Sequence, residues 1–198
     1  MAVKIRNGFQ LSTRLGGGNV ANAQRFQKAT NQGENSVIRV GDPIALTSAG
    51  TVARYPANFS GATANTRVYN WLGVATGIYE DQNGRPLTHR TVKHSVTADT
   101  HWVDVITDPD AVYEVSYGAT ANQTVIGSLA YVQYETSAGN VGLSRAGLMS
   151  SQPAATALQA GLRIIDIVNL DQDGFTNDQD GRVKVIAADH VYRNSDPT

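Results

Sequence analysis

From Ser36 onward, glycine, proline and asparagine cut the chain into short runs of alternating apolar residues, each the length of a strand. This punctuation leaves little room for anything but an all-β fold. Ile38 and Val40 flank Arg39, "GDP" at 41–43 makes a corner, and Ile44 with Leu46 resumes the alternation until "TSAG" turns the chain at 47–50. Val68 to Tyr79 reads as a strand region broken at Gly73 and Gly77, where a bulge or a close backbone approach is expected. The stretch "TDPDAVYEV", Thr107 to Val115, closes one strand, turns on Pro109 and opens the next, with Tyr113 and Val115 on one face and Val112 and Glu114 on the other. Leu87 to Val96, His101 to Ile106, Val125 to Tyr134, Leu162 to Val168 and Arg182 to Val191 read as further strands, the last with Val183 and Val185 inward and Arg182 and Lys184 outward. Asn83 and Gly84 form a hairpin dipeptide within a longer loop. Only Pro153 to Ala160, "PAATALQA", carries a helical pattern, with proline in the first turn and Gly161 as a stop. The pattern predicts an antiparallel β-barrel or sandwich with one short helix over residues 36–198.

Residues 1–35 have a different texture and read as a long extended N-terminal arm. They are rich in Asn, Gln and Gly, with Gly16, Gly17 and Gly18 in a row. Five bases (Lys4, Arg6, Arg14, Arg25, Lys28) face one acid (Glu34), a net charge of +4. The whole chain carries −1, so the remainder is left with −5. A basic arm of this kind can follow nucleic acid. These bases are widely spaced, however, with only Phe9 and Phe26 as aromatic neighbours, so an acidic protein surface is the preferred dock and no nucleic acid is expected. Ile5, Arg6, Phe9, Leu11, Arg14, Arg25 and Phe26 are the candidate partner-contact residues. The arm is expected to contribute few core positions and to order on contact.

Candidate chemistry is sparse. With no cysteine among 198 residues, disulfides, thiolate zinc sites and cysteine nucleophiles are excluded. His89, His94, His101 and His190 show no zinc-binding spacing, and His89 and His94, five apart in a strand, point to opposite faces. "GGGNVA" at 16–21 lacks the preceding strand and the Gly-Lys-Ser/Thr ending of a phosphate loop, and "GLSRAG" at 142–147 has Ala146 where a hydrolase elbow needs glycine. Asp108 and Asp110 flank a proline, which suits turn initiation and solvation better than acid–base work. Trp71 and Trp102 fit core or subunit-interface positions. One loop has metal spacing: Asn169, Asp171, Asp173, Asn177 and Asp180 match oxygen-donor positions of a calcium loop, with Gly174 at its turn. Asn at the first position and Asp at the last depart from that template, and turn chemistry explains the same letters, so no cofactor is expected. No apolar run reaches signal-peptide or membrane-span length, and no membrane partner is expected.

The order of segments from Ser36 to Asn194 carries a resemblance. "VIRVGDPIALTSAGTV", "WLGVATGIY", "WVDVITDPDAVYEV", "IGSLAYVQY", "GLRIIDIVNLDQDG" and "GRVKVIAADHVY" follow one another as in the small head proteins of tailed bacteriophages that decorate or cement an assembled capsid. The resemblance implies a non-enzymatic virion protein, made in the host cytoplasm and seated on the outer capsid surface. It implies the major capsid protein as partner and self-association, with a homotrimer favoured over a dimer. A tail or baseplate component and a calcium-dependent carbohydrate-binding or carbohydrate-active protein are the alternative readings.

Overall fold

The computed structural model describes residues 8–18, 23–29, 37–55, 70–80, 83, 91–92, 101–118, 121, 123–134, 144, 146–148, 161–168, 181–188 and 190–192. Fourteen strands lie among them: β1 (Gln10–Arg14), β2 (Ala23–Gln27), β3 (Ile38–Arg39), β4 (Pro43–Leu46), β5 (Val52–Arg54), β6 (Asn70–Tyr79), β7 (Thr91–Val92), β8 (Trp102–Ile106), β9 (Ala111–Ser116), β10 (Leu129–Ala130), β11 (Val132–Tyr134), β12 (Ala146–Leu148), β13 (Leu162–Val168) and β14 (Arg182–Ala187). They form two five-stranded antiparallel sheets, ordered β1-β9-β14-β13-β10 and β2-β8-β6-β4-β5, and two small pairs, β11-β12 and β3-β7. The helical content of the described residues is one 3-10 turn at Gln123–Val125. The predicted helix at Pro153 to Ala160 lies outside them.

The predicted fold class is met at the level of an all-β, antiparallel chain, and the barrel alternative is not. Among the described residues, the outer strands β2 and β5 of the second sheet approach each other only through an isolated parallel bridge from Lys28 to Val52 and one amide bond, Ala29 N–H to Val52 O at 2.7 Å. One bridge is not a ladder, and the sheet stays open.

Burial follows strand parity. In β14, Val183, Val185 and Ala187 are buried while Arg182, Lys184 and Ile186 are half-buried, because successive side chains leave opposite faces. The larger core cluster joins Tyr113, Val115, Ile164, Val183 and Val185 of the first sheet to Ala45, Trp71, Val74 and Ile106 of the second. A smaller cluster, Ile38, Ile44, Val52, Leu72, Ala75, Ile78, Val103 and Val105, fills the other side of the second sheet. Strand β6 feeds both, with Trp71 and Val74 in the first and Leu72, Ala75 and Ile78 in the second.

The switches in β6 occur where glycine predicted them. Its register shifts against β4 around Leu72 and Gly73, and against β8 between Ala75 and Gly77. At Gly73 a Cβ would overlap the Ile106 carbonyl, so only glycine lets β8 come this close. Val125 to Tyr134, read as one strand, is instead divided. Gly127, at φ 86°, turns the chain after the 3-10 turn, β10 pairs with β13, and β11 leaves to pair with β12. Ala130, Tyr131 and Val132 are buried in succession at this transfer, which is why the period of two failed there.

Residues read as a free arm supply an edge strand to each large sheet. β1 pairs with β9, and β2 pairs with β8. β8 and β9 are consecutive but lie in different sheets, and β1 ends beside Ala111 while β2 begins beside Ile106, on either side of the turn at 107–110. The N-terminal segment is a strap laid along both edges.

Candidate functional site

Among the described residues, polar chemistry is concentrated at the junction between this strap and the body. It begins at Gly8, whose φ of 64° suits glycine and whose missing side chain leaves room for Ser144 and the Gly41 carbonyl. The Phe9 amide then donates to Gly41 O at 2.9 Å, and the Phe9 ring, 2% exposed, enters an aromatic seat. Its centroid lies 5.6 Å from Trp71 and 6.4 Å from Tyr113, both edge-on, and Tyr55 meets Trp71 at 5.4 Å. Phe9, read as a partner contact, is thus a core position of its own chain. One aromatic ring outweighs the sparse apolar residues around it.

Farther along, the strap is held by charge. Arg14 Nε lies 2.9 Å from Asp108 Oδ2 and its Nη2 3.5 Å from Asp110 Oδ2, while the Leu15 amide donates to Asp110 O at 2.8 Å. Asp108 is buried and fixes its own turn, accepting the Asp110 amide at 2.9 Å, as the sequence reading of turn initiation anticipates. In β2, Arg25 forms a two-point pair with Asp104 at 2.7 and 3.0 Å and lies 3.8 Å over the Tyr79 ring. Burial pushes the Asp104 pKa upward, but the bonds from Arg25 and Tyr79 more than offset it, leaving the carboxyl below the usual range. Arg14 and Arg25, read as contacts for an acidic neighbour, thus engage acids of their own chain. Phe26 packs against the smaller core cluster and Leu11 is exposed; Ile5 and Arg6 lie outside the described residues.

Beneath Gly8 lies a residue that the sequence reading treated only as a corner. Asp42 is fully buried and accepts the Ser144 hydroxyl at one carboxylate oxygen and the Arg39 amide, at 2.8 Å, at the other. Ser144 Oγ also accepts the Ala146 amide at 3.1 Å, and the Ser144 amide donates to Val40 O at 3.2 Å. Burial raises the Asp42 pKa to about 6, against the lowering influence of Ser144, the Arg39 amide and the charges of Arg54 and Arg39. Arg54 lies 4.1 Å over the ring of Tyr134, whose hydroxyl donates to Tyr55 O at 2.6 Å. The same corner exchanges backbone bonds with β6: Gly41 N–H to Ala75 O at 2.8 Å and Ala75 N–H to Asp42 O at 2.9 Å. The "GDP" letters signalled the turn; nothing local signalled that Ser144, 102 residues away, closes over the carboxylate. Ser144 is thereby a structural partner of Asp42.

An open cleft of about 380 Å³ runs beside the strap, lined by Phe9, Leu11, Val40, Val74, Ile106 and Tyr113 among others. Tyr113 donates to Ile106 O at 3.3 Å, and burial, then the Asp108 charge, raise its pKa.

The calcium-loop candidates Asn169, Asp171, Asp173, Asn177 and Asp180 all lie outside the described residues, as do His89 and His94. Among the described residues no group of three metal-type side chains converges. His190 is buried and accepts the Tyr192 amide at Nδ1, 3.1 Å away. Trp71 is a core residue, and Trp102 is half-buried in β8. No helix among the described residues is long and apolar enough to cross a membrane. No family model, curated protein or solved structure matches the chain.

Proposed function

We propose that the chain is a structural virion subunit that binds the outside of an assembled tailed-phage capsid and stabilises the shell by bridging major capsid subunits. The two sheets are read here as the layers of a β-sandwich, sharing the larger core cluster between them. One observation carries the reading: the segments whose order resembles capsid decoration proteins supply β3 to β6, β8 to β11, β13 and β14, the strands around which both core clusters form. The titratable groups around those strands support it, since Asp42, Asp104, Asp108 and Asp166 are each engaged with a cation or a backbone amide that fixes geometry.

The mechanism in this reading is thermodynamic. A subunit that binds only the assembled lattice stabilises it by mass action, and a contact bridging two capsid subunits raises the barrier to their separation. Self-association as a homotrimer multiplies weak contacts by valency. The test is saturable binding of the purified protein to mature capsid shells, with a gain in the temperature at which the shells rupture. Equal binding to shells and to unassembled capsid subunits, or none to either, rejects it.

A further inference from the structure

We propose that β1 is an exchangeable strand, and that the groove receiving it, the β1-paired edge of β9 with the Trp71–Tyr113 seat and the Asp108–Asp110 corner, also accepts β1 from a second copy of this chain.

Four observations converge on the strap. First, β1 belongs to its sheet through β9 alone and presents Gln10, Leu11, Ser12 and Thr13 to solvent, so its seat depends on Phe9, the ladder, Arg14 and a bond from Arg182 to Gln10 at 3.0 Å. Second, every feature of that seat lies on the body: the Gly41 and Asp110 carbonyls, the aromatic rings and the two aspartates. A β1 from another copy is complementary to it in shape and charge because it is the same strand. Third, β1 leads into Gly16, Gly17 and Gly18, all with positive φ (83°, 81°, 94°) and with nothing within 4 Å of where a Cβ would stand. These residues can be reset to an extended path without steric cost. Fourth, Leu11 and Leu15, 40% and 48% exposed, precede this hinge and are two of four large apolar side chains exposed among the described residues. In an exchanged assembly the straps of neighbouring copies run past one another at the hinge, which buries the apolar surface that these leucines expose in the single chain.

Exchange preserves the contacts of β1 and adds the burial at the hinge, so its extent rises with protein concentration. The inference deepens the self-association part of the proposed function. It is tested without capsids, so failure of capsid binding and failure of exchange are separate results.

The cysteine-free chain allows a clean crosslinking test. Gln10 and Glu114 face each other across the β1–β9 ladder. Q10C and E114C proteins, prepared separately, mixed, concentrated and oxidised, are expected to form a Q10C–E114C disulfide between chains, identified by peptide mass after non-reducing electrophoresis. Addition of L15S to both should lower its yield several-fold. A second variant needs no crosslink. Pro at position 17 cannot adopt the observed φ of 81°, so G17P forbids the closed turn while permitting an extended strand, and is expected to raise the oligomeric fraction above that of the parent in sedimentation. The inference is overturned if the mixed single-cysteine proteins give no interchain Q10C–E114C peptide at any concentration. It is equally overturned if G17P sediments as a folded monomer with β1 amides still protected from hydrogen exchange.

Discussion

Asp42 shows how one buried carboxylate can work against the corner it organises. The folded chain holds its proton up to about pH 6, whereas an unfolded aspartate releases it near 3.8. The folded state therefore binds more protons across that interval, and stability falls as pH rises. The contribution is whole below 3.8 and is lost as pH climbs through 6, a change on the order of 3 kcal/mol for a shift of this size. In Asp42→Asn, which keeps a neutral side chain of the same shape, this decline should vanish, and urea unfolding midpoints of parent and variant should diverge from pH 4 to 7. Parallel curves would mean that Asp42 is ionised in the fold throughout. Phe9 is the second decisive residue. Phe9→Ala removes a ring that touches Trp71 and Tyr113, and should cost about 3–5 kcal/mol of unfolding free energy by denaturant titration. A loss below about 1 kcal/mol would make the strap a surface ornament.

At the scale of elements, strands whose apolar residues alternate into a core were legible, and strands held mainly by backbone ladders were not. β13 ends where the pattern ended, at Leu162 and Val168, and the bulges of β6 fall at its glycines. By contrast, "QLSTR" and "AQRFQ" carry almost no inward apolar residue, because an edge strand is held by the neighbour it pairs with and covers little core. Their one local signal is the cationic side chain each contributes to an aspartate of the partnered strand or its turn. The Arg14–Asp108 contact, half exposed on the arginine side, should show a coupling of about 1 kcal/mol in a double-mutant cycle with Arg14→Ala and Asp108→Asn. Absence of coupling would leave β1 fastened by the ladder, Phe9 and the Arg182–Gln10 bond. The Asp42–Ser144 contact was illegible for another reason: a pair 102 residues apart has no local pattern, and only the folded topology brings it together.

For the whole molecule, the N-terminal segment changes what truncation should do. Removing residues 1–35 takes away both edge strands, uncovers β8 and β9, and deletes Phe9 from the larger core cluster. Such a chain should unfold at a markedly lower temperature than the parent or aggregate through the exposed edges. A truncated protein that melts within a few degrees of the parent would show that the strap is dispensable. The +4 charge of this segment against −5 for the rest is partly spent within the chain, at Arg14 and Arg25, so added salt should act on strap attachment as well as on any external partner.

The path of the strap along two sheet edges also makes the response to force depend on direction. Tension applied along β1 and β2 loads their ladder bonds together in shear, so many must fail at once; tension across the strands peels those bonds one at a time. A subunit tethered through this segment would hold firmly against stretching of the surface beneath it, yet yield readily to lifting.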